Sequence, residues 1–492
     1  MVYSASMPLL SLLILSLGWQ GPSSDSAQEE VAKLSKPNII LIMVDDMGWA
    51  DLSAYGGKVV QTPRLDRLAE EGMVFTQAYS GCTVCAPARS TLMDGRHMGH
   101  TSVRLNTGGV PLRAEDFTLA EALRKAGYQV GGFGKWGLGE LGTEGAPEKQ
   151  GFDEFFGYYH QIHAHYHLPD YLIRNGEKVP LPGNRDFYTQ YPHMRYSGPF
   201  PLVDPETQLR RQFAPEIIYQ ETLAFLRRAA AKERPFFCYA AWTPPHGEYL
   251  IPEEFREWPL YAEKKNWPVR AKVVAAYLSM VDRHVGGVLD LLDQLELREE
   301  TLVFFLSDHG ADLDYDGSLD SCGPLRGKKR TLYEGGLRVP MLVSWPGVIE
   351  SGRRSDHLCY FPDFFPTFLE LAQAPIPERL DGISFLATLR AQGEQRQHPH
   401  LYWEWARYDW GKKQLVENGL MQAVRMGPWK GISLHPQEPF QLFHLERDPG
   451  ERQNLAADHP DLVRRLREIM KDSHRPMRAQ QEPPRLEGKA FR

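Results

Sequence analysis

Asn38-Ile39-Ile40-Leu41-Ile42-Met43-Val44 runs without a break into Asp45-Asp46-Met47-Gly48. From Ile39 to Val44 every residue is apolar, which predicts a strand covered on both faces, as in a parallel sheet. The polar doublet sits where such a strand ends. The same design recurs downstream. Tyr128 to Phe133 ends in Gly134-Lys135-Trp136-Gly137. Pro235 to Trp242 ends in Thr243-Pro244-Pro245-His246-Gly247, and Thr301 to Leu306 ends in Ser307-Asp308-His309-Gly310. Val339 to Trp345 reads as a further buried strand. Helical stretches alternate with these: Pro63 to Glu71, Asp116 to Ala126 with Thr118 and Glu121 at capping-box spacing, Pro215 to Lys232, and Val269 to Leu297. In the last, Val274, Tyr277, Val281, Val285, Val288, Leu292 and Leu295 form one apolar stripe. The alternation predicts an α/β fold: a large mixed, mostly parallel sheet flanked by helices. In such sheets function gathers at the carboxyl ends of strands, so the four polar strand ends should meet on one edge.

After a helix over Phe361 to Ala372 the pattern changes. Turn-rich stretches at 374–378 and 391–397 precede short strands near Leu401 to Trp405, Met421 to Arg425, Trp429 to Ile432 and Gln441 to His444. A helix over Pro460 to Met470 and a loose polar tail follow. This predicts a catalytic part over residues 36–372 and a smaller C-terminal part over 373–492, an antiparallel sheet with a helix. Met7 to Trp19 is apolar but too short to span a bilayer, so residues 1–27 read as an export signal with small residues near Ser26-Ala27, although Met1 to Ser6 carry no Lys or Arg. The expected location is therefore exported, periplasmic or secreted, and not transmembrane once the signal is removed. The net charge of -7 argues against a nucleic-acid partner. It leaves room for an anionic small substrate in a locally positive pocket. Five cysteines in 492 residues do not make a disulfide scaffold.

The chemistry centres on Ser80-Gly-Cys82-Thr-Val-Cys85-Ala-Pro87-Ala-Arg89-Ser-Thr-Leu-Met-Asp-Gly95-Arg96. Pro87 suits a first helical turn and Gly95 a helix stop. That puts Cys85 at a helix N-terminus, which favours an anion, with Arg89 one turn on along the same face. Cys82-x-x-Cys85 has two other readings, a thiol redox pair or half of a zinc site. Cys238, Cys322 and Cys359 supply no second pair for zinc. For the redox reading the surrounding βαβ pattern is not specific. A buried structural cysteine is the default for a lone Cys, but it does not explain Pro and Arg at +2 and +4.

Cys-x-Pro-x-Arg followed by Ser-Thr-Leu-Met-x-Gly-Arg resembles the signature of type I sulfatases, members of the alkaline phosphatase superfamily, and further segments match in order from about residue 37 to the C-terminal region. The resemblance implies a sulfuric ester hydrolase whose Cys85 is converted to formylglycine by a dedicated modifying enzyme. It implies calcium bound by Asp45, Asp46, Asp308, His309 and the modified Cys85. Clustered carboxylates independently favour Ca²⁺, with Mg²⁺ second, and adjacent Asp45-Asp46 call for a nearby cation. His309 would offer nitrogen where Asn offers oxygen. Asp312-x-Asp314-x-Asp316-Gly317 imitates an EF-hand start, but the twelfth position is Gly323 and the reading fails.

By the same resemblance Lys135, Lys329 and His246 grip sulfate or serve the leaving group. Spacing to Tyr333-Glu334-Gly-Gly favours Lys329 over Lys328. His246 is a candidate general acid. The implied cycle has one hydroxyl of the hydrated aldehyde attack sulfur, while Arg89, Lys135 and Lys329 neutralise charge. The second hydroxyl then expels sulfate. Many relatives carry a His where this chain has Gly137. The His-rich segment His160-Gln-Ile-His163-Ala-His165-Tyr-His167 offers a replacement base, His165 first and His163 second; it also has the composition of a transition-metal site. A sulfated small molecule or glycan is the expected substrate. A phosphatase or phosphodiesterase of the superfamily would carry Ser or Thr at position 85. A catalytically dead sulfoglycan-binding protein has only Gly137 in its favour.

Overall fold

The computed structural model describes Met1 and residues 36–477, apart from 109, 186, 191–197, 205–206, 313–314, 316, 410–411 and 413. The export-signal segment and the tail beyond 477 lie outside the described residues. So does part of the 312–317 acidic stretch. Pro37 onward forms one compact unit.

Among the described residues eighteen strands follow one another: β1 Asn38–Asp45, β2 Met73–Phe75, β3 Ala78–Tyr79, β4 Gln129–Lys135, β5 Glu154–Tyr158, β6 Tyr171–Arg174, β7 Glu177–Pro180, β8 Gly198–Phe200, β9 Phe236–Pro245, β10 Leu250–Pro252, β11 Thr301–Ser307, β12 Met341–Ser344, β13 Arg353–Ser355, β14 Cys359–Tyr360, β15 Leu401–Asp409, β16 Gln414–Met426, β17 Trp429–Ser433 and β18 Gln441–His444. The main helices are α1 Pro63–Glu71, α2 Cys85–Asp94, α3 Leu119–Lys125, α4 Ala214–Ala230, α5 Val269–Gln294, α6 Phe364–Leu371 and α7 Pro460–Ser473.

A ten-stranded sheet has the order β13-β2-β12-β11-β1-β9-β4-β5-β6-β7. Its centre, β11-β1-β9-β4-β5, is parallel, and antiparallel strands join on both sides. The four strands singled out by their polar ends are therefore direct neighbours. β1 is buried along its whole length because apolar layers cover both faces of the sheet. Thr118 caps α3 by accepting from Glu121 N, the reciprocal box expected from their spacing. Gly95 ends α2 in the left-handed conformation, with φ 68°.

The structure corrects one detail. α5 buries residues all round between Val273 and Val281, not along a single stripe, and Leu295 lies just past its end. Sheet and helices pack around that middle part, while the helix is exposed toward its ends, at Val269, Arg270, Asp290, Asp293 and Gln294. β15-β16-β17-β18 form a separate antiparallel sheet on which α7 packs through Leu466 and Met470. All five cysteines are free thiols. Among the described residues no helix is long and apolar enough to cross a membrane.

Candidate active site

Strand register builds the site. Val44 lies opposite Ser307, which brings Asp45 beside Asp308, and Asp45 lies opposite Pro245, which brings His246 alongside. Asp46 turns away with φ 71°, a left-handed conformation uncommon for a side-chain-bearing residue. Cys85 opens α2, and Ala86 N next to it donates to Asn106 Oδ1 at 3.0 Å.

Cys85 Sγ lies 3.3 Å from Asp45 Oδ1 and 3.1 Å from His309 Nε2. His309 Nδ1 is 2.9 Å from the Gly310 carbonyl, which can only accept. Nδ1–H therefore donates to that carbonyl, and Nε2 faces the cluster. Nε2 is 3.5 Å from Asp46 Oδ1 and 3.4 Å from Asp308 Oδ1. Ligand atoms of Asp45, Asp46, Cys85 and His309 all fall within 4.8 Å of one another. Cys82, by contrast, faces the Glu404 carbonyl at 3.9 Å.

Three cations answer three carboxylates. Arg89 donates from Nη2 and Nε to Asp308 Oδ2 at 2.9 and 3.2 Å, and from Nη1 to the Lys135 carbonyl at 2.9 Å. Lys135 Nζ pairs with Asp45 Oδ2, and Lys329 Nζ with Asp46 Oδ1 at 2.5 Å. Lys329, not Lys328, is the buried one. His246 Nδ1 stands 3.1 Å from Asp45 Oδ2, though not aligned as a hydrogen bond, and its Nε2 is 3.6 Å from Asp46 Oδ2. Burial pushes Asp45 up, yet Lys135, His246 and Arg89 outweigh it and hold the carboxyl well below the usual range. Burial lifts Asp46 well above that range, for Lys329 only partly offsets the loss of water and the charge of Asp45. Burial, then Asp45, raises the Cys85 thiol. Burial, then Lys329, keeps His246 neutral.

The donor set fits a hard divalent cation: three carboxylates and one imidazole nitrogen. Without an ion the three acids and three bases nearly cancel, so a bound dication would leave the pocket positive, the sign an anionic ester needs.

The His-rich segment divides. His165 lies 4.4 Å from His246, ring to ring, and its Nε2 has no hydrogen-bond partner among the described residues. His163 packs against Tyr171 at 4.7 Å. His160 faces Glu140 at 3.2 Å, and His167 faces Tyr277 Oη at 2.9 Å and the His246 carbonyl at 3.1 Å. The four rings face different neighbours, and the segment gathers no transition-metal cluster among the described residues. Sequence reasoning missed Asn106 and Tyr239, whose hydroxyl lies 3.4 Å from Arg89 Nη1. A lone Asn in a loop and a Tyr inside a strand carry no signal of their own.

A mixed sheet whose parallel core presents acids, bases and a helix-terminal cysteine on one edge is the architecture of the alkaline phosphatase-like hydrolases. Comparison with known proteins narrows this. The sulfatase family model matches residues 37–374, and a model of the N-sulphoglucosamine sulphohydrolase C-terminal region matches 327–479. The chain is 32% identical over 477 residues to N-acetylgalactosamine-6-sulfatase of Canis lupus familiaris, covering 88% of this chain and 85% of that one. It is 28% identical over 543 residues to N-acetylgalactosamine-6-O-sulfatase of Bacteroides thetaiotaomicron, covering 95% and 98%. The crystal structure of Ps i-CgsB in complex with k-i-k-neocarrahexaose superposes with a TM-score of 0.73 at 27% identity, covering 92% of this chain and 94% of that one. The chain belongs to the sulfatase family and is a sulfuric ester hydrolase.

Proposed function

We propose that this protein is an exported sulfatase that releases sulfate from a sulfated glycan, using formylglycine made from Cys85 by a modifying enzyme. The observation that carries this is the placement of Cys85: alone of the five cysteines, its Sγ lies within the carboxylate–histidine cluster. Asp45, Asp46, Asp308 and His309 would hold Ca²⁺, with Mg²⁺ second, and the ion would supply positive charge toward the sulfate oxygens. The modified Cys85 would supply a hydroxyl nucleophile.

The remaining work falls to residues in view. Lys135 and Lys329 neutralise the sulfate group as charge shifts onto its oxygens. Arg89, with donors committed to Asp308 and the Lys135 carbonyl, adds charge while holding both neighbours in place. His246 serves the leaving oxygen as general acid; the neutral ring first takes up a proton and then passes it to that oxygen, returning to the neutral form. His165 takes the proton that a histidine at position 137 would otherwise remove. Burial, then Lys135 and Lys329, keeps its imidazole neutral and so able to accept. Residues 36–372 carry this chemistry, and 373–492 form the smaller part that backs it. The substrate class follows the relatives, two of which are named as N-acetylgalactosamine-6-sulfatases and one of which was solved in complex with k-i-k-neocarrahexaose.

The test is turnover of N-acetylgalactosamine 6-sulfate, carrageenan oligosaccharides and 4-nitrophenyl sulfate by protein made with the modifying enzyme. Peptide mass spectrometry accompanies it. Sulfate release with a modified Cys85 is expected. Active protein with an intact Cys85 thiol would refute the mechanism.

A further inference from the structure

Gly137 lies two residues past Lys135, with φ 77°, a conformation side-chain-bearing residues rarely adopt. Its N–H donates to the Tyr159 carbonyl at 3.0 Å, so the chain from Tyr159 onward runs beside the β4 strand end on the catalytic edge. A Cβ built on Gly137 would come 2.9 Å from Gln161 Oε1. The Gln161 side chain therefore occupies the space that a side chain at 137 would take. Gln161 is only 3% exposed, and its Oε1 has no hydrogen-bond partner among the described residues. Four residues on, in the same turn, is His165, whose Nε2 is likewise without a partner and whose ring stands beside His246.

A buried amide oxygen is costly to leave without a donor, and such atoms in folded proteins call for an explanation. Here the atom fills the place beside Gly137, two residues past Lys135, in the segment that also carries His165. An amide oxygen can only accept. Sulfate oxygens and carboxylates also only accept, so they are repelled from this position, and a phenyl ring offers no donor. A sugar hydroxyl does.

We propose that Gln161 is a substrate-contacting residue whose amide oxygen accepts a hydrogen bond from a hydroxyl of the sugar ring that carries the sulfate ester. The inference rests on the sulfatase reading above and adds to it the choice of a polyhydroxylated alcohol as leaving group. A site built to bond a hydroxyl discriminates strongly against analogues lacking one, because its own polar group is then left unpaired.

Gln161→Ala and Gln161→Glu test this, with thermal melting to show that both remain folded. KM is measured for N-acetylgalactosamine 6-sulfate, and the inhibition constant for inorganic sulfate, which carries no hydroxyl. In Gln161→Ala, KM should rise about tenfold, the worth of one well-placed hydrogen bond, while sulfate inhibition stays unchanged. Gln161→Glu keeps an acceptor oxygen and should recover part of the KM. Equal changes in KM and in sulfate inhibition would overturn the proposal, as would an unchanged KM in Gln161→Ala. A wild type that releases no sulfate from any ester of the panel would overturn the sulfatase reading and this inference with it. An active wild type with an indifferent Gln161→Ala would overturn the inference alone.

Discussion

Lys430 on β17 is fully buried between two glutamates, 2.9 Å from Glu334 Oε1 and 2.9 Å from Glu451 Oε1. Glu334 Oε2 also accepts from Tyr79 Oη at 2.5 Å, and Glu334 N donates to Glu451 Oε2 at 2.7 Å. This network ties the C-terminal sheet to the segments that carry Cys85 and Lys329. Burial pushes the Glu334 carboxyl up, but Lys430, then Arg425 and Arg338, hold it below the usual range. Its stabilisation is therefore present above the unfolded carboxylate value of about 4.3 and lost as pH falls below it. Lys430→Met removes the nearest cation and leaves a buried, under-compensated charge, a change that costs about 3–5 kcal/mol. In the variant the carboxyl is raised, so stability now falls as pH rises through its new value. The deficit should be larger at pH 7.5 than at pH 5. Urea unfolding of wild type, Lys430→Met and Lys430→Met/Glu334→Gln at both pH values measures it. The double variant should recover part of the loss, since it neutralises Glu334 but leaves Glu451 without its cation. A single variant within about 1 kcal/mol of wild type at both pH values, less than a buried unpaired charge can cost, would refute the reasoning.

His165→Ala should lower turnover by roughly 10²–10⁴-fold, the usual loss for a positioned base, and near-normal turnover in steady-state assays would exclude that role. Chelation should abolish turnover and calcium restore it; zinc found at stoichiometry in active protein by elemental analysis would contradict the assignment. Glu248 is buried, and that burial raises its carboxyl to about 8 despite bonds from Tyr188 and the His167 N–H. Wild-type stability should therefore fall as pH rises toward 8, by up to about 1.4 kcal/mol per pH unit. Glu248→Gln should remove that slope in denaturation curves taken from pH 5 to 8, and an unchanged slope would show that Glu248 does not titrate with folding.

Much of the catalytic edge was legible from local pattern. A run such as Ile39–Val44 can be satisfied only inside a sheet, and polar residues directly after such runs must emerge at strand ends. That places Asp45, Lys135, His246 and Asp308 on one edge before any contact is known. The Cys85-x-Pro87-x-Arg89 spacing similarly sets a residue at a helix N-terminus with an arginine one turn on, and Thr118 with Glu121 marks a cap, because helical geometry acts over three or four residues.

Other features arise only when distant segments meet. The sequence does not say that β4 and β11 flank the β9-β1 pair, that Lys329 takes Asp46 while Lys135 takes Asp45, or that His309 presents Nε2 rather than Nδ1. Nor does it show that Gln161 lies over Gly137, or that Lys430 is a buried partner of Glu334 and not a solvated surface lysine. Periodicity and caps are properties of neighbouring residues and can be read along the chain. Burial, charge pairing and tautomer depend on what folds against a residue from a hundred or more positions away, and only the tertiary structure supplies that neighbour.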